Sequence, residues 1–144
     1  MDYLIRSLEI SDYDSLIDLW QKSGLPYRPK GRDSRKSIAI ELKRRETCFW
    51  GMFDEDKLIG SVIGASDGRK GWINRLAVDR DYHGQGLAII LIKECEKFLF
   101  NLGIQIIATL IEDYNDPSKA LFKKAGYIFG KDVYYYTKRL SDDV

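Results

Sequence analysis

Ahead of a long apolar-periodic segment the chain reads His83-Gly84-Gln85-Gly86-Leu87-Ala88, and His83 is its one histidine. Two glycines at the start of a helix are the ingredients of an anion site. The first helical turn leaves backbone N–H groups without partners, and the helix dipole adds partial positive charge there. Glycines also let the backbone approach a phosphate where a Cβ would obstruct it. The same residues serve equally well as a plain turn, and the spacing alone leaves both readings open. Two better-known phosphate motifs do not fit. A P-loop needs Gly-x-x-x-x-Gly-Lys-Ser/Thr, and no such run occurs. A dinucleotide fingerprint needs a third small residue where Ile89 stands, and an acidic residue about twenty positions further on, where the chain is apolar around Gln105.

The elements that must position this stretch can be read from periodicity. Residues 3–10 read as a strand, and residues 12–22 as a helix with Leu16, Ile17 and Trp20 at helical spacing and Gly24 as its stop. Residues 25–33 hold two of the three prolines and form a loop, after which Asp33 or Ser34 can cap a helix carrying Ile38, Ile40 and Leu42. Strands over 47–53 and 57–65 are joined by Asp54-Glu55-Asp56-Lys57, and a further strand covers 72–78. Ala88, Leu91, Ile92, Cys95, Phe98, Leu99 and Leu102 then recur at three- and four-residue steps, an amphipathic helix closed by Gly103. Residues 104–111 are almost all apolar and read as a strand buried on both faces. A helix follows with Pro117 in its first turn and Gly126 at its end, and residues 127–130 and 132–140 read as a closing hairpin. Antiparallel strands followed by a strand–helix–strand–helix unit predict an α/β fold: one domain over residues 1–144, with a mixed, largely antiparallel sheet flanked by helices on both faces.

Composition narrows the function classes. A net charge of +1 lacks the basic imbalance of a nucleic-acid binder. The local basic run Arg28, Lys30, Arg32, Arg35 and Lys36, continued by Lys43, Arg44 and Arg45, reads first as a solvated face and second as a hold for an anionic ligand. Cys48 and Cys95 fit no metal spacing and are expected to be free thiols in a reducing compartment. The N-terminus shows no signal-peptide pattern, and no apolar run approaches the ~20 residues that span a bilayer, so a cytoplasmic location and no membrane partner are expected.

A third pattern does fit the glycine stretch. His83 through Ala88, following Leu76-Ala77-Val78, resembles the acetyl-CoA-binding segment of the GNAT N-acetyltransferase superfamily, Gln/Arg-x-x-Gly-x-Gly/Ala after a strand. Downstream, Asn115, Leu121, Phe122, Gly126 and Tyr127 resemble the superfamily's Asn-x₅-Leu-Tyr-x₃-Gly-Phe segment. The resemblance is weakest between Gly24 and Glu46, where the superfamily varies its acceptor-binding helices. It implies a GNAT-like domain that transfers the acetyl group of acetyl-CoA to an amine, with no metal. The backbone of Leu76, Ala77 and Val78 would bond the pantetheine arm, and the N–H groups of His83, Gly84, Gln85, Gly86, Leu87 and Ala88 would hold the pyrophosphate. Asn115 and Phe122 would contact the cofactor. Asn115 is also a good N-cap for the helix after it. Homodimers are common in the superfamily, so a second copy is a possible partner.

The expected chemistry departs from the pattern in two places. Many members carry a glutamate base on the fourth strand, but Trp72-Ile73-Asn74-Arg75-Leu76 has no carboxylate; Glu112 is then a candidate base and Asn74 a candidate holder of a relay water. Where the superfamily has a tyrosine as general acid this chain has Phe122, and Tyr135, in the run Tyr134-Tyr135-Tyr136, is the candidate replacement. The acceptor is left open among a protein N-terminus, a lysine, a polyamine and a small metabolite. A non-catalytic acyl-CoA sensor and a protein-interaction domain stand as alternatives.

Overall fold

The computed structural model describes residues 2–143. Strands β1 (Leu4–Ser7), β2 (Thr47–Asp54), β3 (Lys57–Ser66), β4 (Gly71–Val78) and β5 (Ile107–Ala108) form one sheet in sequence order. The first three pairings are antiparallel, and β5 joins β4 in parallel after a helical crossover. The helices are α1 (Tyr13–Lys22), α2 (Arg35–Glu41), α3 (Leu87–Asn101) and α4 (Asp116–Lys124).

Alternation along the strands sends side chains to two cores. On one face Leu16, Leu19 and Trp20 of α1 and Ile38 of α2 pack on Phe49, Phe53 and Ile63. On the other, Leu91, Ile92, Cys95 and Leu99 of α3 and Phe122 of α4 pack on Met52, Ile59, Val62 and Ile73. The expected largely antiparallel sheet with helices on both faces is therefore what forms. Close approach of α3 requires glycine at one point: a Cβ on Gly64 would lie 2.8 Å from the Cys48 sulfur and 3.1 Å from that of Cys95. The two thiols are buried, unlinked and 3.6 Å apart.

Local signals act mostly as read. Ser34 caps α2, its Oγ accepting from the Ser37 N–H at 3.1 Å, which leaves Asp33 for another role. Glu55 takes a left-handed φ of +54° in the β2–β3 turn.

Two expectations at the C-terminal end are corrected. Only Ile107 and Ala108 of the strand anticipated over 104–111 pair with β4, and Ile106 and Leu110 are 52% and 54% exposed rather than buried on both faces. The closing hairpin does not form: residues 127–143 contain no strand, and residues 128–143 are all exposed. Without the hairpin β5 is the sheet's edge, and its outer side is left unpaired. Among the described residues no helix is long and apolar enough to cross a membrane.

Candidate functional site

β4 carries one residue more than β3 opposes. Ser61 pairs with Ala77 but Ile63 pairs with Asn74, and Arg75 in the extra position takes φ +54°. A bulge of this kind bends a strand and turns its following residues away from their neighbour's path. On its other side β4 is bonded to β5 only at Gly71 and Trp72, with one last tie from the Thr109 hydroxyl to the Ile73 carbonyl at 2.9 Å. Beyond Ile73 no ladder pairing joins the two parallel strands, and Leu76, Ala77 and Val78 are the last residues of β4.

The chain leaves β4 directly into the glycine stretch. Asp79 closes a single 3-10 turn over Arg80–Tyr82 by accepting from the Asp81 N–H at 2.9 Å. Gly84 and Gly86 then take φ of +82° and +75°, and α3 begins at Leu87. A Cβ at either glycine would meet nothing within 4 Å, so it is the left-handed backbone and an open approach, not crowding, that call for glycine here. No side chain caps α3 and no acidic residue occupies its first turn, while the first intrahelical bond reaches back from Ile90 to Gly86. The N–H groups of Leu87, Ala88 and Ile89 thus face outward at the positive end of a fifteen-residue helix. This arrangement fits a phosphate.

The other expected site residues are distributed unevenly around it. His83 turns its ring back, Nε2 lying 2.9 Å from the Val78 carbonyl oxygen, so that the imidazole ties the end of β4 to the start of the glycine turn. Gln85 reaches over to accept from the Tyr3 hydroxyl at 3.2 Å. Asn74 is exposed on β4 just before the bulge. Asn115 acts as the N-cap of α4, its Oδ1 accepting from the Ser118 N–H at 3.2 Å. Phe122 is buried edge-on against Tyr127, with ring centroids 5.1 Å apart. Glu112 is exposed in the loop after β5, and Tyr135 is 70% exposed on the C-terminal segment.

A polar cluster that the sequence reading missed sits at the bulge. The Arg75 guanidinium donates to the Asp33 carboxylate at 3.1 Å and to the Pro26 carbonyl, and lies 4.8 Å from the Trp20 ring centre. Asp33, 3% exposed, also accepts from the Arg28 N–H at 2.8 Å. Tyr13 donates its hydroxyl to the Asp33 main-chain oxygen at 2.6 Å and lies 3.3 Å from the Tyr27 hydroxyl; burial and that neighbour push its pKa up to about 12. Glu41, at the end of α2, has its carboxyl raised above the usual range, first by burial and then by Asp33, with Arg44 and Arg75 acting the other way. Arg75 therefore ties the loop over residues 25–34 to the bulge. The available signal was a lone charged residue, Arg75, in β4 and a single aspartate in a basic loop. Among the described residues no group of three or more His, Cys, Asp or Glu could hold a metal ion.

Comparison with known proteins is consistent with this geometry. Residues 13–127 match the model of the acetyltransferase (GNAT) family. An acetyltransferase of Sodalis glossinidius is 30% identical over 139 residues, 96% of each chain. Among solved structures, the PaiA N-acetyltransferase of Thermoplasma acidophilum in complex with coenzyme A superposes with a TM-score of 0.77 at 22% identity, covering 86% of this chain and 88% of that one. AAC(6')-Iy, in complex with a CoA-linked bisubstrate analogue, superposes with a TM-score of 0.80 at 16% identity over 96% of this chain and 99% of that one. The strand that loses its pairing with β5 and leads to an uncapped glycine turn thus has its counterpart in sequence: the chain belongs to the GNAT family of acetyltransferases.

Proposed function

We propose that this chain moves the acetyl group of acetyl-CoA to an amine nitrogen by direct attack, with the cosubstrate lying in the gap between β4 and β5. The observation that carries the reading is the continuity of two features on one strand. β4 has no ladder pairing with β5 after Trp72 and only the Thr109 hydroxyl on its Ile73 carbonyl, and it runs through Leu76, Ala77 and Val78 directly to the bare N-terminus of α3. A pantetheine arm ending in a pyrophosphate has that shape and that charge order. The Thermoplasma relative, solved with coenzyme A, supports this choice of ligand.

In the chemical step the amine lone pair forms the new C–N bond, the thioester C–S bond breaks, and the sulfur leaves as thiolate or thiol. A thiol of ordinary pKa near ~8.5 leaves with modest help, so Phe122 in place of a tyrosine does not forbid turnover. Losing the amine proton is the harder demand. Reaching the neutral form at pH 7 costs roughly 4–5 kcal/mol for an ammonium of pKa ~10.4 but only about 1 kcal/mol for an α-amino group near ~8. Asn74 can orient a water at the bulge, and Glu41, whose carboxyl burial holds above its usual range, is a candidate proton acceptor beside the exposed Glu112.

Free-thiol release from acetyl-CoA, measured against a panel of protein N-terminal, lysine, polyamine and small metabolite amines at several pH values, tests the proposal. Release stimulated by one amine class is expected. Tight CoA binding with no amine-stimulated release would sink the transfer reading in favour of an acyl-CoA sensor, and failure of acetyl-CoA to raise the melting temperature would favour an interaction domain.

A further inference from the structure

Gly84 and Gly86 have open space where a Cβ would stand, so crowding does not hold the glycine turn in its left-handed conformation. The ties that can hold it lie just before it, on the 3-10 turn over Arg80–Tyr82. The β2–β3 hairpin grips that turn at both ends. At its start the Asp79 N–H donates to the Ile59 carbonyl at 2.7 Å, and the Asp79 carboxylate pairs with the Lys57 ammonium at 3.6 Å. At its end the Tyr82 hydroxyl donates to the Asp54 carboxylate at 2.6 Å, and Lys57 lies 5.3 Å from the centre of the Tyr82 ring. Asp54 and Lys57 face each other across the hairpin, so both side-chain grips come from one pair of residues at its tip.

The chemistry of the second grip suits a fixed contact. The bond to Asp54 is the main cause that pushes the Tyr82 pKa up to about 12, so the hydroxyl keeps its proton and remains a donor at neutral pH. A hydrogen bond to a charged acceptor is roughly twice as strong as one between neutral groups. Tyr3 adds a link between the two turns: its ring stands edge-on to Tyr82 at 5.8 Å, and its hydroxyl donates to Gln85 at 3.2 Å.

We propose that Tyr82, held by Asp54, is a positioning residue for the cosubstrate, acting through the backbone that runs on from it into His83, Gly84 and Gly86. The inference rests on the reading of that turn as the hold for the pyrophosphate. An anion bound by several N–H groups at once is held best when they point to one place before it arrives. A clamped turn meets that demand and loses little freedom on binding. The hairpin tip, which reads in sequence only as a connection between strands, thereby contributes to cosubstrate affinity.

Calorimetry with coenzyme A, at a temperature where every variant is folded, tests the proposal. Tyr82→Phe keeps the ring and loses only the hydroxyl; it is expected to weaken binding about tenfold, the loss of one hydrogen bond to a charged acceptor. Asp54→Ala is expected to match it, and the double variant to be no weaker than either. Asp54→Asn, which keeps an acceptor, is expected to retain most of the affinity. In the ligand-free protein the Gly84 and Gly86 amide resonances are expected to shift in Tyr82→Phe, while those of residues 95–101 stay in place. A merely structural tyrosine would lower the melting temperature and leave both the CoA affinity and the glycine resonances unchanged, and that result overturns the proposal. Additive losses in the double variant overturn it equally. A parent chain that binds no CoA overturns the cosubstrate reading itself, and this inference falls with it.

Discussion

Arg75 carries more of the site's architecture than any other single side chain. It sits at φ +54° in the β4 bulge, and its guanidinium holds the buried Asp33 carboxylate and the Pro26 carbonyl while stacking over Trp20. Side-chain exposures of 14% and 5% for Arg75 and Asp33 place this ion pair out of water. Removing one partner of a buried pair leaves a charge that nothing compensates, which typically costs about 3–5 kcal/mol. Arg75→Met is expected to destabilise the protein by that order in urea unfolding. Asp33→Asn with Arg75→Met should recover part of the loss, because no bare carboxylate then remains. Arg75→Lys keeps the charge but loses the fork and the ring contact, so it should fall between the two. None of this cluster follows from residue spacing. Asp33 and Ser34 were equivalent as caps in the sequence, and only the fold shows that Ser34 takes the cap while Asp33 turns inward to meet a residue more than forty positions away.

At the scale of elements, legibility followed the range of the forces involved. Helix α3 and its glycine turn were readable because their signals are local: a periodic apolar stripe, two glycines ahead of it and Gly103 after it. β5 was overread because burial of a strand depends on neighbours that its own residues do not specify, and those neighbours are missing from its outer side. The glycine turn, proposed to hold the cosubstrate, can be tested as an element. Gly86 holds φ +75° with open space around it, so an alanine there meets no steric contact and suffers only backbone strain, roughly 1–2 kcal/mol. If the turn relieves that strain by leaving the left-handed region, the N–H groups at the start of α3 swing out of line. Gly86→Ala is therefore expected to weaken acetyl-CoA binding, read by calorimetry, by about an order of magnitude or more while the melting temperature falls only slightly. Gly103→Ala, also left-handed (φ +87°) but at the other end of α3, should produce a comparable stability loss with cosubstrate affinity intact.

For the molecule as a whole, two carboxyl groups pull the dependence of stability on pH in opposite directions. Asp12 accepts two hydrogen bonds from Arg6, at 2.8 and 3.0 Å, and this contact holds its pKa below 3.8. Its stabilisation is present above the unfolded value and is lost as pH falls through the lowered folded one. Glu41 behaves in the opposite sense. Its folded pKa is raised above 4.5 by burial, so the folded state holds its proton longer than the unfolded chain does. Stability then declines as pH rises through the window between the two values, and the protein carries the full penalty at neutral pH. Neutralising this side chain should consequently stabilise the fold: Glu41→Gln is expected to unfold at higher urea at neutral pH than the parent, with the gain vanishing below the unfolded carboxyl pKa. A carboxylate with a raised pKa is a stronger base, so Glu41 is also a candidate proton acceptor. The same variant therefore separates the two roles. As the base, Glu41→Gln lowers kcat most for acceptors of high pKa and least for α-amino acceptors, while it raises stability. As a merely structural residue, it raises stability and leaves the dependence of kcat on acceptor pKa unchanged.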